Sequence, residues 1–269
     1  MRSAFFDHLR PQLRWEGDAR LPERTRRAAV VAQFSTAPRI TPSLDRLVRE
    51  LVEHDYDVLL SSACPIPEPL EWPDGVPDRV AVLRKPNIGY DFGSWAAGFL
   101  SCPQLFEAER VLQVNDSLLG PFWSLDEVLA DFDATHGDWW GLVRSFQVKA
   151  HLQSYFLGFT SSVLRAPTFR DYWASVRPEA TKQLVIDRYE FGLSTRLHNE
   201  AFVASAFLEA PAIVHPGVNP MIDGWEKALR AGVPFIKREL ITRPHVVPQG
   251  DRVPGRLREA FGIDIDDWM

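Results

Sequence analysis

The sequence predicts an α/β fold, with a mostly parallel central sheet flanked by helices in a single domain. Three observations predict it. Short apolar runs recur at residues 28–34, 57–60, 80–83 and 110–114, the length and composition of buried strands. Between them lie segments whose apolar residues fall at helical spacing, and strands alternating with helices favour a parallel sheet. The chain also carries no internal repeat, low-complexity tract or clear linker, so one domain (residues 28–245) is expected between an N-terminal arm, 1–27, and a C-terminal tail, 246–269.

The elements follow in order. The arm is rich in Arg, Glu and Pro. After the first strand, Thr41 and Pro42 supply an N-cap and a proline at the first helical position, and Leu44, Leu47, Val48, Leu51 and Val52 form one apolar stripe. Residues 57–60 and 80–83 read as the second and third strands, and the proline-rich stretch between them, 65–77, as an irregular loop. Trp95, Ala96, Phe99 and Leu100 mark a helix that starts near Asp91. The fourth strand, 110–114, ends in Asn115-Asp116-Ser117, and Ser124 with Glu127 fits a capping box ahead of a helix carrying Leu125, Val128, Leu129 and Phe132. Residues 139–143 and 155–159 are later strands, and helices are expected from there to about Leu208. Trp139 and Trp140 read mainly as core, and the acidic end, 264–268, as a solvated tail.

Composition narrows the function classes. A chain of 269 residues with 45% hydrophobic and 25% charged residues is ordinary for a soluble globular protein. A net charge of −6 argues against a nucleic-acid partner, which calls for a basic face. Two isolated cysteines, Cys64 and Cys102, form neither a zinc cluster nor a disulfide framework, which suits a reducing compartment. The first residues lack the apolar core of a signal peptide, and no window is long and apolar enough to span a bilayer. A cytoplasmic location is expected, with peripheral contact at the inner membrane face through the small basic cluster Arg24, Arg26 and Arg27.

Two polar motifs fall where open α/β sheets gather ligands, outside the carboxyl ends of strands. Asn87-x-Gly89-x-Asp91-x-Gly93 follows the third strand, where closely spaced glycines allow backbone to approach a ligand. Taken alone, the loop is equally well an ordinary strand–turn–helix connection. Asn115-Asp116-Ser117 ends the fourth strand; a carboxylate there can hold a hard divalent cation, which can neutralise a diphosphate leaving group.

These two motifs, with Trp140-Gly-Leu, the stretch from His151 to Phe156, Tyr189-Glu190-x-x-x-Ser194 and the stretch from Gly232 to Lys237, resemble the rhamnan-synthesis-F glycosyltransferase family. The likeness runs from about Ala29 to Leu240. It implies a GT-A-like nucleotide-sugar-binding fold and sugar transfer from a nucleotide-diphosphate donor, with rhamnose or another deoxysugar suggested by the family name. The acceptor would be a hydroxyl of a polysaccharide or of a lipid-linked glycan. On this likeness Ser35, Asn87, Gly89, Asp91, Asn115, Asp116 and Lys237 line the donor site. GT-A enzymes commonly place an Asp-x-Asp pair where this chain has Asn115-Asp116-Ser117, with one carboxylate. A bound Mn²⁺ or Mg²⁺ would then need a second ligand besides Asp116, for which His215 is the candidate. Alternatively, Lys237 or Arg238 balances the diphosphate.

Sugar transfer with inversion needs a base for the acceptor hydroxyl. Glu190, Asp187 and His151 are candidates. Glu190 is preferred for its place in the Tyr-Glu motif, with Asp187 three residues before it and able to share its helix face. His151 and Ser154 are then read as acceptor-binding. The competing expectation is a non-catalytic glycan-binding or scaffold domain on a degenerate GT-A fold.

Overall fold

The computed structural model describes residues 4–248 and 250–269. Its strands are β1 (Arg14–Glu16), β2 (Arg27–Gln33), β3 (Asp57–Ser62), β4 (Val80–Arg84), β5 (Arg110–Asn115), β6 (Leu118–Leu119), β7 (Trp139–Ser145), β8 (His151–Leu152), β9 (Phe156–Thr160), β10 (Ala204–Glu209) and β11 (Ile236–Lys237). The helices are α1 (Ala4–Leu9), α2 (Pro42–Glu53), α3 (Tyr90–Ser101), α4 (Asp126–Ala134), α5 (Ser161–Leu164), α6 (Pro167–Ser175), α7 (Lys182–Val185), α8 (Phe191–Asn199), α9 (Trp225–Arg230), α10 (Glu239–Thr242) and α11 (Val253–Phe261). A π-helical turn, Ile186–Glu190, joins α7 to α8.

The large sheet runs β1-β4-β3-β2-β5-β9-β7-β10, with β8 paired to β7. β4, β3, β2 and β5 are parallel. β9 is antiparallel to both β5 and β7, β10 is parallel to β7, and β1 closes the far edge antiparallel to β4. The expected mixed α/β fold with a mostly parallel sheet flanked by helices is therefore the observed one.

Both faces of the sheet are covered, as parallel strands require. Along β2, Ala29 and Val31 point to one side and Ala28, Val30 and Ala32 to the other. One core packs β2 and its neighbours against α2, through Leu44, Leu47, Val48 and Leu51, and against α4, through Val128, Leu129 and Phe132. The opposite core is aromatic: Trp95 and Phe99 of α3 meet Phe169 and Trp173 of α6, and the Phe99 and Trp173 rings stack at 4.7 Å. The α2 start is as expected, with the Thr41 side chain accepting from the Leu44 N–H and Pro42 leading the helix.

Three local expectations are corrected. Residues 204–209, expected as helix, form β10, a strand at the edge of the sheet beside β7. The capping box does not form: α4 begins at Asp126, the Ser124 hydroxyl accepts from the Asp126 N–H rather than that of Glu127, and the Leu125 N–H is held by the buried carboxylate of Glu50. Within the described part of the arm, β1 pairs with β4 and the Phe5 ring lies 3.3 Å from where a Cβ on Gly89 would stand. The acidic end is not simply solvated. A third core joins Leu119, Ile236, Leu240, Val253, Leu257 and Ile265, and Trp268 meets Phe122 edge-on at 5.1 Å. That cluster braces the two-stranded ribbon of β6 and β11, which carries Lys237 to the sheet edge.

Candidate active site

The carboxyl ends of β2, β4 and β5 open on one edge, and the chain reversal into β9 brings Ser154 and Tyr155 to the same place. A run of hydrogen bonds links the residues there. The Asp116 N–H donates to Ala32 O (3.1 Å), and the Asp116 carboxylate accepts from the Phe34 N–H (2.9 Å), tying the end of β5 to the end of β2. Asn115 donates from Nδ2 to the Asp91 carboxylate (2.8 Å), tying β5 to the start of α3. Its Oδ1 accepts from the Ser117 hydroxyl (2.6 Å) and the Ser117 N–H (3.1 Å). Lys237 Nζ donates to the Ser117 hydroxyl (3.3 Å) and stands 3.7 Å from the centre of the Tyr155 ring. Arg238 donates from Nε to Asp116 O (3.0 Å).

The loop into α3 is shaped for close approach. Gly89 (φ +86°) and Tyr90 (φ +54°) are consecutive left-handed residues, an unusual conformation for a bulky side chain. A Cβ on Gly93 would sit 2.5 Å from Ile88 O, so a glycine is needed where the loop folds back onto the helix. Asn87 lies exposed in the loop, and Tyr90 is 46% exposed.

Burial and charge set the protonation tendencies. Burial, with Asp91 as a neighbour, pushes the Asp116 carboxyl up to about 7, while the Phe34 N–H and Arg238 act against the rise. Burial also raises Asp91, opposed by the Asn115 hydrogen bond and by Lys182, Lys237 and Lys85. Lys237 is lowered to about 8 by burial, against the pull of Glu190, Glu239 and Asp91. Lys85 is also lowered to about 8 by burial, against the pull of Asp91. It is 4% exposed, and its Nζ has no hydrogen-bond partner among the described residues.

Beyond Tyr155 lies Glu190, at the end of the π-helical turn. One of its oxygens accepts from the Ser154 N–H (3.1 Å) and the Ser154 hydroxyl; the other is 3.2 Å from His151 Nε2. Burial pushes the Glu190 carboxyl up, but the His151 and Ser154 hydrogen bonds outweigh it and hold the group below its ordinary value. His151 Nδ1 lies 2.8 Å from Lys149 O, and its ring packs edge-on against Phe191.

The structure thus brings together Asp91, Asn115, Asp116, Lys237, Glu190, His151 and Ser154, with Gly89 and Asn87 in the adjoining loop. Ser35 is half-buried just beyond β2, its hydroxyl donating to Ala37 O (2.5 Å). Asp187 is exposed and accepts from the Gln183 side chain (2.9 Å). His215 is exposed in the segment after β10. Among the described residues no group of three or more His, Cys, Asp or Glu side chains is arranged to hold a metal ion. Asp116 and Asp91 each spend one oxygen on an N–H donor, and Lys85, Lys237 and Arg238 stand at the same edge.

Four contributors carried no site role in the sequence reading. Ser117 relays Lys237 to Asn115, Tyr155 supports the lysine, and Phe34 anchors Asp116. Lys85 is the fourth. A basic residue two positions beyond an apolar strand and directly before proline was its only signal; that the amine is buried needs the fold.

A family model described as rhamnan synthesis protein F matches residues 78–253. The virulence protein VirA of Vibrio anguillarum (strain ATCC 68554 / 775) is 29% identical, over 59% of this chain and 61% of that protein. The uncharacterized protein y4gN of Sinorhizobium fredii (strain NBRC 101917 / NGR234) is 24% identical, over 67% of this chain and 46% of that protein. The chain therefore spans less than two thirds of these relatives. Among solved structures, a glycosyltransferase involved in the glycosylation of the major capsid of PBCV-1 aligns with a TM-score of 0.43 and 10% identity, covering 84% of this chain and 97% of that one. No helix among the described residues is long and apolar enough to cross a membrane.

Proposed function

The chain belongs to the rhamnan synthesis protein F family, and from that premise we propose that it is a glycosyltransferase using a nucleoside-diphosphate sugar. It would transfer the sugar, rhamnose or another deoxysugar, to a hydroxyl of a growing or lipid-linked glycan on the cytoplasmic side. The observation that carries this reading is the continuous polar edge from Phe34 through Asp116, Asn115 and Asp91 to Ser117 and Lys237. It joins carboxylates that suit sugar and ribose hydroxyls to cations that suit a diphosphate.

In this reading Asp91, oriented by Asn115, accepts hydrogen bonds from donor hydroxyls, and Asn87 and Gly89 line the loop beside it. Lys237 and Arg238 face the diphosphate, whose charge grows as the glycosidic bond breaks. Lys85 adds a third cation in surroundings of low polarity, where charge acts strongly. The surplus of cations at the edge lets the leaving group depart without a metal. Glu190 is the base: the acceptor hydroxyl takes the place of Ser154 at its carboxylate and passes it a proton as the hydroxyl oxygen attacks the anomeric carbon. Its lowered proton affinity keeps it ionised and ready, at some cost in driving force. Asp187, on the exposed face, has no part in that step.

The test is a thermal-shift panel of nucleoside diphosphates and nucleotide sugars, followed by assay of nucleoside diphosphate release with a glycan acceptor. A ligand that binds the folded state raises the melting temperature. A donor that shifts melting and is turned over supports the reading. The absence of any shift from the whole panel overturns it in favour of a non-catalytic module.

A further inference from the structure

On the other side of the π-helical turn lies a second cleft, which shares no residue with the polar edge. It is an open depression of about 410 Å³ between α6 and α8, lined by Tyr172, Ser175, Arg177, Arg188, Tyr189 and Arg196. That volume lies within the range of small-ligand pockets.

Its polar groups are unbalanced. Arg177 and Arg188 both face one carboxylate, Glu179, which is itself largely covered and also meets the Tyr189 hydroxyl (3.0 Å). Arg196 donates from Nε to the Thr168 hydroxyl (2.9 Å), and no carboxylate lies within ion-pair distance of it among the described residues. The Tyr172 hydroxyl is spent on Tyr189 O (2.9 Å), and the Ser175 hydroxyl on Tyr172 O (2.7 Å). The donors left to face the cleft are guanidinium N–H groups: two guanidiniums share one carboxylate, and Arg196 pairs with a hydroxyl. Planar forks of this kind suit the oxygens of a phosphate group, which can take paired N–H bonds from each.

We propose that this cleft is a binding site for a phosphate-bearing anion, a phosphomonoester or diphosphate group. Its position gives the occupant a route to the polar edge. Tyr189 lines the cleft, and the carboxylate of the next residue, Glu190, is held by Ser154 and His151. An occupant that holds Arg188, inside the π-helical turn, and Arg196, on α8, fixes the junction of the two, and with it the Glu190 carboxylate.

The test is calorimetric titration of inorganic pyrophosphate into the full chain and into two variants. Lys237→Met removes one of the three cations of the polar edge, so binding lost with it alone belongs to that edge. Arg177→Gln with Arg196→Gln strips two forks from the cleft while leaving the Arg188–Glu179 pair. Pyrophosphate is expected to bind Lys237→Met and to bind the double arginine variant at least about tenfold more weakly, two charge-assisted contacts being lost. Should the arginine variant melt below wild type, Ser175→Glu supplies the second variant: it puts a carboxylate at the rim and is expected to weaken binding similarly. Binding unchanged in the arginine and Ser175→Glu variants, or abolished by Lys237→Met alone, overturns the proposal. Flotation with phosphatidylcholine vesicles, with and without phosphatidic acid, separates the sources of the phosphate. Flotation that needs both phosphatidic acid and the arginines assigns a lipid headgroup; pyrophosphate binding without flotation assigns a soluble phosphate.

Discussion

Asn115 holds the Asp91 carboxylate from across the sheet, with Nδ2 at 2.8 Å from Oδ2, while its own Oδ1 takes both donors of Ser117. One amide therefore fixes the orientation of a carboxylate on α3 and of the hydroxyl that meets Lys237. The pairing depends on Asp91 being an acceptor. Asp91→Ala removes the acceptor and leaves the Asn115 N–H₂ group without its partner. Donor affinity is expected to fall at least about tenfold, the scale of a lost hydrogen bond to a charged group, with a small change in melting temperature. Calorimetry with the donor found in the panel measures it; unchanged affinity would make the pair purely structural.

Asp116 predicts a pH dependence with a definite sign. Its carboxyl is raised from 3.8 to about 7 in the folded chain, so between those values the unfolded chain has released a proton that the folded chain keeps. The unfolded state binds fewer protons there, and the contribution of this group to stability falls as pH rises through that window and is flat above it. Asp116→Asn is therefore expected to gain on wild type as pH goes from 4 to 7, by about 1–3 kcal/mol if the Phe34 N–H keeps an acceptor. Urea unfolding of both proteins at matched pH values reads the difference. Asp116→Asn losing stability relative to wild type as pH rises would contradict it.

Much of this arrangement was legible in the sequence, for identifiable reasons. β2 through β5 are apolar runs closed by polar residues, and a parallel strand buried on both faces leaves that mark. Asp91 and Asp116 stand out because they end such patterns. β10 was not legible: Ala-Ser-Ala-Phe-Leu-Glu has no clean alternation and sits half-buried at the sheet edge, where neighbours rather than propensity decide. The Ser124 hydroxyl took the nearer Asp126 N–H in place of that of Glu127, and the preceding Leu125 N–H is held by Glu50 from 75 residues away. Lys85 was hidden for a different reason, since sequence places a lysine at a strand end but does not reveal that the amine is covered.

That covered amine gives a trade between stability and function. The folded chain lowers Lys85 from 10.5 to about 8, so between those values the unfolded chain binds more protons. Its penalty is full below about pH 8 and is relieved as pH rises from there towards 10.5. Lys85→Met is expected to be more stable than wild type at pH 7, by about 1–3 kcal/mol for replacing a poorly paired buried charge with an apolar side chain. Its advantage should shrink between pH 8 and 10.5, and transfer activity should drop. A less stable Lys85→Met protein at pH 7 would mean that the ammonium has a partner in solution.

Removal of divalent cations tests how the leaving group is balanced. With Lys237, Arg238 and Lys85 facing the diphosphate, kcat/KM after exhaustive EDTA treatment is expected to stay within about twofold of the untreated value. Lys237→Met should cost at least about tenfold under both conditions. Activity that vanishes with EDTA and returns with Mn²⁺ or Mg²⁺ would restore a metal at Asp116, with His215 the first residue to examine as its second ligand.

Glu190 separates proton transfer from binding. Its two oxygens already accept from Ser154 and His151, so Glu190→Gln keeps the shape but must turn an N–H₂ towards one of these donors. Loss of a general base is expected to lower kcat by about 10²–10⁴-fold, while donor affinity, set at Asp91 and Lys237, stays near wild type. Because the wild-type group is held below its ordinary value, the acid limb of the kcat profile should lie below the normal glutamate range and be absent in the variant. Ser154→Ala removes a competitor for the carboxylate and should shift that limb upward, towards a more basic Glu190. A variant that keeps wild-type kcat, or that loses donor binding along with kcat, would reassign Glu190 from proton acceptor to a brace for His151 and Ser154.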